Sequence, residues 1–319
     1  GPNVQGVANF ASGAVFNFNT TFSETTPLDG PIAIVSQSGA MSALPYAHLR
    51  TAGLGVRYAC STGNEADLTV ADFMLAVAQD PEIKLLLLYL EAIADVPRFE
   101  QAARFARARG LPIVALKSGV SPRGMQAATS HTGALATEDR TVAALFRQHG
   151  ILRVEDVRAF VNAAPLYLQG WHGQARPLGQ RIVAVSNSGA SCVMAADTAH
   201  RLGMPLGDFD VATRADLAKV LPEFGAAANP IDLTAALLNN NRMFGDLLGT
   251  LAQHDAADAV YISLPASGAG YDLPRYLDDC ITFVRHTARP LVMANPLAAS
   301  AKVFRDGGVV VFDHEVAAL

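Results

Sequence analysis

The apolar positions of the chain fall into two patterns that alternate. Short continuous runs such as Ile32-Ala33-Ile34-Val35 and Leu85-Leu86-Leu87-Leu88 have the length of strands buried on both faces. Between them lie segments whose apolar residues recur at helical spacing and which stop at Gly or Pro. This predicts strands at residues 32–35, 56–60, 84–90, 113–116 and 151–154, and helices at 41–52, 67–76, 97–109, 139–149 and 157–168. Pro45 fits its helix only near the first turn. Residues 1–30 carry Asn, Thr, Ser, Phe and Gly without a clear period and read as an irregular stretch with one short strand. The Gly-, Ser- and Thr-rich segment after residue 116 reads as a long loop.

The alternation restarts after residues 171–180, a polar stretch with Trp171, Gly173, Pro177 and Gly179. That stretch is the expected linker between a domain at 31–170 and a second at 181–319, with residues 1–30 leading into the first. The second half predicts strands at 181–185, 259–263, 290–293 and 309–312, and helices at 191–202, 213–221, 243–253 and 273–287. Strands alternating with helices predict an α/β fold, two three-layer α/β/α domains with mainly parallel sheets.

One turn occurs twice. The first strand of each half runs into Ser-x-Ser-Gly-Ala, as Ser36-Gln37-Ser38-Gly39-Ala40 and as Ser186-Asn187-Ser188-Gly189-Ala190. Each copy offers hydroxyls, a close-approaching glycine backbone and free N–H groups at a helix start, which together suit an anion. A single copy is also what an ordinary serine cap looks like. The repetition suggests two phosphate-binding turns made of Ser36, Ser38, Gly39 and Ala40 and of Ser186, Ser188, Gly189 and Ala190, both aimed at one phosphate. Two further residues stand where chemistry is expected. His131, in Ser130-His131-Thr132-Gly133-Ala134-Leu135, presents an imidazole that is either a solvated loop histidine or a nucleophile, being largely neutral near pH 7. Glu91 ends the run 84–90, where open α/β sheets place functional groups. It caps the next helix, faces solvent, or accepts a hydrogen bond that orients an imidazole. Lys117 and Arg123 read as solvated loop charges, with phosphate contact as the alternative, and Asn64 and Asp67 as helix caps, with a functional role as the alternative.

These residues, with Gly63-Asn64-Glu65-Ala66-Asp67, Tyr89-Leu90-Glu91 and Asn229-Pro230-Ile231-Asp232, resemble the NDP-forming acyl-CoA synthetases, the ADP-forming acetyl-CoA synthetase relatives of succinyl-CoA synthetase. The resemblance implies two flavodoxin-like domains and an acid–thiol ligase in which His131 carries a phosphoryl group between acyl phosphate and ADP or ATP, with Glu91 orienting the ring. It implies coenzyme A, ATP/ADP with Mg2+, and phosphate as cofactors and substrates of the full enzyme, with an acyl-CoA or carboxylic acid as partner molecule. It also implies CoA-binding and ATP-grasp domains outside this chain, and a homo- or hetero-oligomer. Asn3, Val4 and Gln5 map near the acyl and CoA groups, with Val4 where the family usually has Cys. Asn229 and Asp232 map to a turn beside the second phosphate-binding turn.

Composition narrows the alternatives. With 319 residues, half of them hydrophobic and a formal net charge of -5, the chain has material for two cores and no basic stripe for nucleic acid. No apolar run has membrane-spanning length and no signal peptide is evident, so a cytoplasmic location is expected. Cys60, Cys192 and Cys280 are too few and too scattered for a disulfide frame or zinc site, and the histidines lack metal-ligand spacing, so no metal is expected. Neither Ser turn has the G-x-S-x-G order of a serine hydrolase. The start at Gly1-Pro2, without an initiator Met, suggests a piece of a longer protein. Two other functions fit parts of the pattern: a non-catalytic synthetase-like module regulating a protein acetyltransferase, and a two-domain protein clamping an anion.

Overall fold

The structure, a computed structural model, describes residues 2–132, 138–169, 181–204, 206–223 and 225–319, with side chains excluded at 130–132, 169 and 316. The chain divides into two compact units, Gly1–Leu168 and Gln169–Leu319. The expected linker, with Trp171, and Gly133, Ala134 and Leu135 after the histidine lie outside the described residues.

The first unit holds strands β1 (Gly6–Asn9), β2 (Ala14–Asn17), β3 (Ile32–Ser36), β4 (Val56–Ser61), β5 (Leu85–Leu90), β6 (Ile113–Lys117) and β7 (Leu152–Val154). Its helices are α1 (Thr21–Glu24), α2 (Ala40–Thr51), α3 (Val70–Ala78), α4 (Val96–Ala108), α5 (Pro122–Thr132), α6 (Asp139–His149) and α7 (Val157–Gln169). The sheet order is β2-β1-β4-β3-β5-β6-β7. Strands β3 to β7 are parallel, and β1 pairs antiparallel with both β2 and β4. Among the parallel strands, the second lies beside the first on one side and the third on the other, which is the flavodoxin-like order. Successive residues of β3 and β5 serve opposite faces. Ala33, Val35, Leu86 and Leu88 pack under α3, α4 and α6, against Met74, Phe99 and Phe146. Ile32, Ile34, Leu85 and Leu87 pack under α2 and α7, against Tyr46, Leu49 and Phe160. Each of the five leucines of β5 is fully buried, worth about 1.5–3 kcal/mol apiece in transfer free energy.

The second unit holds β8 (Ile182–Ser186), β9 (Ile231–Asp232), β10 (Ala259–Ser263), β11 (Leu291–Ala294) and β12 (Val310–Phe312). Its helices are α8 (Gly189–Arg201), α9 (Val211–Val220), α10 (Met243–Gln253), α11 (Leu273–Thr287), α12 (Ala298–Asp306) and α13 (Glu315–Ala318), with a 3-10 turn at Thr234–Leu238. The order β12-β11-β10-β8-β9, all parallel, repeats the parallel order of the first unit. The core on one face joins Val183, Val185, Val260 and Ile262 to Phe244, Leu247, Tyr276 and Phe304. The opposite face is small: Ala184, Tyr261 and Ala294 meet Ala195 of α8.

Several expectations change. Residues 1–30 contain a hairpin, β1 and β2, that extends the sheet through β4. Pro45 stands inside α2, beyond its first turn, and is buried there. The helix expected at 67–76 starts at Val70, where Thr69 and Asp72 form a capping box, so neither Asn64 nor Asp67 caps it. Residues 122–132 form helix α5 rather than loop. Ser121 caps it, its Oγ accepting the Gly124 N–H at 3.0 Å, and Pro122 takes the first helical position, where its missing N–H costs nothing. Among the described residues no helix is long and apolar enough to cross a membrane.

Candidate functional site

In each unit the strand order reverses next to the strand that ends in Ser-x-Ser-Gly-Ala. In the first unit the reversal lies between β3 and β5, so Ser36 and Glu91 leave the carboxyl edge on neighbouring strands, with Ser36 paired to Tyr89. Open α/β sheets bind ligands in that crevice.

The two turns are built alike. The Ser38 N–H donates to Ser36 Oγ at 3.1 Å, and the Ser188 N–H to Ser186 Oγ at 3.1 Å. Both inner serines are buried and shape the turn. The second serine of each turn caps its helix, Ser38 Oγ accepting Met41 N–H at 3.4 Å and Ser188 Oγ accepting Ser191 N–H at 3.5 Å. The cap and the anion site are therefore compatible: among the described residues, the N–H groups of Gly39, Ala40, Gly189 and Ala190 donate to nothing in the protein. Those are the donors a phosphate would take, at the positive end of a helix.

What lies against each turn differs. In the first unit the Gln5 side chain lies over Gly39; an added Cβ there would fall 2.3 Å from Gln5 Cγ. Asn19 holds Gln5, its amide donating to Gln5 Oε1 at 2.8 Å. Asn3 donates to Asn64 Oδ1 at 3.2 Å, and the Asn64 N–H to Pro2 O at 3.1 Å, so the N-terminal residues dock on the turn after β4. Gly63, at φ +60°, has no room for a Cβ, which would meet Pro2 O at 2.5 Å. In the second unit a carboxylate takes the corresponding place: Asp232 Oδ2 stands 3.0 Å from where a Cβ on Gly189 would be, while Asp232 Oδ1 accepts Thr234 N–H at 2.8 Å. Asn229 builds the edge beside it, its amide bridging Ile182 O at 2.8 Å and Ala184 N–H at 3.0 Å.

Glu91 is buried, which removes the solvent-facing reading. It does not cap the next helix either; Asp95 does, accepting Arg98 N–H at 2.9 Å. Burial pushes the Tyr89 phenol above its ordinary value, with Ser118 opposing the rise and Glu91 adding to it. Lys117, in register beside Leu90, is also buried, with its ammonium donating to Ser118 O. Burial lowers its pKa, opposed by Asp139 and Glu91 and helped by Arg153. The solvated-loop reading fails for buried Lys117, and Arg123, although exposed, stands in helix α5 rather than in a loop. His131 lies in the last turn of α5, and its side chain is outside the described residues. Val4 is half-buried. Sequence reasoning passed over Gln37 and Glu65, although both stand inside motifs it quoted. Gln37 Oε1 accepts the Glu91 N–H at 2.5 Å and the Ala92 N–H at 2.9 Å.

The three thiols are buried, and burial pushes Cys60 and Cys192 up to about 12 and Cys280 higher still, which removes them as nucleophiles.

Residues 29–167 match the family described as "Succinyl-CoA ligase like flavodoxin domain". The chain is 35% identical over 235 residues to acetate–CoA ligase [ADP-forming] I subunit alpha of Pyrococcus furiosus, covering 73% of this chain and 48% of that one. It is 31% identical over 274 residues to 4-hydroxybutyrate–CoA ligase [ADP-forming] of Nitrosopumilus maritimus, covering 85% of this chain and 38% of that one. It thus spans about half or less of these relatives. In fold it is similar to the dinucleotide-forming acetyl-coenzyme A synthetase 1 of Ca. Korarchaeum cryptofilum in complex with phosphate and ADP, with a TM-score of 0.83 at 23% identity over 100% of this chain and 68% of that one.

Proposed function

The chain belongs to the NDP-forming acyl-CoA synthetase superfamily, and from that premise we propose that it is the phosphoryl-relay core of an ADP-forming acyl-CoA ligase. In this reading an imidazole nitrogen of His131 attacks the phosphorus of an acyl phosphate, and the acyl carboxylate leaves. The phosphoryl group then passes from nitrogen to ADP, regenerating the neutral ring. Run backwards, ATP phosphorylates His131.

The observation that carries this reading is the placement of Glu91. It is a buried carboxylate at the carboxyl edge of β5, beside the turn whose Gly39 and Ala40 N–H groups are open to an anion. An imidazole attacks through one nitrogen only if the other holds the proton, and a carboxylate accepting that N–H fixes the tautomer. Phosphoryl transfer needs fixed donors around the equatorial oxygens more than it needs covalent help. Gly39 and Ala40 fit phosphate in this way. Gly189 and Ala190 offer the same pair of donors, with Ser38 and Ser188 fixing each helix start and Ser36 and Ser186 each turn.

Asn3, Val4 and Gln5 are assigned to the neighbourhood of the acyl group, because Gln5 lies on the phosphate turn and Asn3 on the turn after β4. Coenzyme A, ATP/ADP and Mg2+ are assigned to CoA-binding and ATP-grasp parts of the complete enzyme. The P. furiosus relative is named as a subunit, which supports a partner chain or domain for this one.

The test is to incubate the complete enzyme with Mg2+ and ATP labelled in the γ-phosphate. Acid-labile label on His131, abolished in His131→Ala, is expected; equal labelling of that variant contradicts the assignment.

A further inference from the structure

We infer that Gln37 is the positioning residue for Glu91, and that Glu65 holds Gln37 in the orientation this needs. The inference rests on the role proposed above for Glu91 and assigns work to two residues with no part in that role.

Gln37 stands between the two serines of the first turn, and its main-chain N–H donates to Tyr89 O at 3.2 Å. Its side chain reaches the same strand again. A single amide oxygen, Oε1, accepts both N–H groups that leave β5, Glu91 at 2.5 Å and Ala92 at 2.9 Å. Two N–H donors on one atom fix that atom as the oxygen, since an NH2 group there would face donors with donors. The amide NH2 then needs an acceptor, and the Gln37 side chain favours the charged form of Glu65, which marks that carboxylate as the acceptor. Glu65 is tied down in turn: Oε1 accepts the Thr62 hydroxyl at 2.9 Å and the Val70 N–H at 2.7 Å, at the start of α3. Its backbone, at φ +56°, is in the left-handed region that a non-glycine residue enters only where its surroundings hold it. Burial raises the Glu65 pKa, while its hydrogen bonds to Val70, Thr62 and Gln37 oppose the rise.

The bridge joins the exits of β3, β4 and β5 and the start of α3. The phosphate-facing turn and the carboxylate that orients the imidazole therefore keep one spacing. A ring attacking phosphorus held on Gly39 and Ala40 depends on that spacing, because small misplacements of reacting groups cost rate steeply.

The test uses the complete enzyme and the variants Gln37→Glu, Glu65→Gln and their double. Gln37→Glu keeps the length and an acceptor oxygen for Glu91 and Ala92 but sets a carboxylate against Glu65. Single-turnover labelling of His131 is expected to slow about tenfold, the ratio of one charge-assisted hydrogen bond lost. The KM for ATP and for coenzyme A is expected to stay within about twofold, because the change misplaces Glu91 without touching either binding group. The double variant exchanges donor and acceptor across the bridge and is expected to recover to within about threefold of wild type. Glu65→Gln alone keeps the shape and an acceptor for Thr62 and Val70, and is expected to melt like wild type and label about threefold more slowly. If Gln37→Glu does not fold, Glu65→Gln and the double carry the test. A wild type that labels His131 while Gln37→Glu and Glu65→Gln label at the wild-type rate overturns the inference. So does a double variant no faster than Gln37→Glu. A wild type without label on His131 overturns the proposed function instead.

Discussion

Ser36 shows how much a single side chain does in this site. Fully buried at the end of β3, it accepts the Ser38 N–H at 3.1 Å and donates to Ser38 O at 2.6 Å, closing the turn on itself. Ser36→Ala takes the partner from the Ser38 N–H, while Ser38 O keeps the Ser42 N–H at 3.1 Å, at a cost of about 1 kcal/mol. Urea denaturation should show the midpoint falling at unchanged slope; an unchanged midpoint means the turn does not depend on the hydroxyl. The serine pair was legible in the sequence because it occurs twice. Lys117 was not, because a charged residue after an apolar run looks like the first solvated position of a loop. Its burial follows from β6 lying between β5 and β7, a fact of the sheet that no local pattern carries. Gln37 escaped for the same reason, since an amide between two serines looks interchangeable until its partners arrive from β5 and from Glu65.

At the scale of elements, the helix starts decide most of the chemistry. Helix α3 begins in a capping box whose acid, Asp72, accepts the Thr69 N–H at 3.0 Å and pairs with Arg98 at 2.9 Å. The Thr69 backbone bond is the largest cause holding the Asp72 carboxyl below its ordinary value, with the Thr69 hydroxyl and Arg98 adding to it against burial. Folding therefore favours the charged form. The contribution is complete above the ordinary carboxylate range and is lost as pH falls through the lower folded-state value. Asp72→Asn should thus bring the acid-unfolding curve of the variant toward that of wild type at low pH, with the gap opening toward neutrality; a constant gap contradicts the linkage. At α8 the sign is reversed. Asp232 puts a negative charge where an anion is expected, against Gly189. Asp232→Asn keeps the acceptor for Thr234 and removes the charge, which should strengthen phosphate binding about fivefold, the equivalent of about 1 kcal/mol at a helix end. Equilibrium binding of inorganic phosphate measures this, and weaker binding by the variant contradicts it. Strands were the elements best read from sequence, because runs such as Leu85-Leu86-Leu87-Leu88 have no solvated alternative. Helix α5 was missed because Gly124, Ser130 and Thr132 are poor helix formers, although Ser121-Pro122 carried a legible start signal. The β1–β2 hairpin was missed because its strands are four residues each and lack alternation.

At the scale of the molecule, one parallel strand order occurs twice, and each unit encloses its own core. Residues 1–168 and 181–319 expressed separately should each melt in a cooperative transition; a fragment without one contradicts the assignment of independent cores. The same repetition explains why the fold class was readable and the chemistry only partly so. Strand and helix periodicity is a property of each segment, whereas the approach of Gln5 to Gly39, or of Asp232 to Gly189, depends on segments far apart in the chain. Both units carry the turn, but a neutral amide lies against the first and a carboxylate against the second, so the two would not hold an anion equally. The central claim is that this core carries phosphoryl on His131. The most direct measurement is intact-protein and peptide mass analysis of the complete enzyme after exposure to Mg2+ and ATP. The account expects one phosphoryl group on the peptide containing His131, stable in alkali, lost in acid and absent from Glu91→Gln. Phosphoryl on a serine, or none on that peptide while acyl-CoA is still being formed, contradicts it.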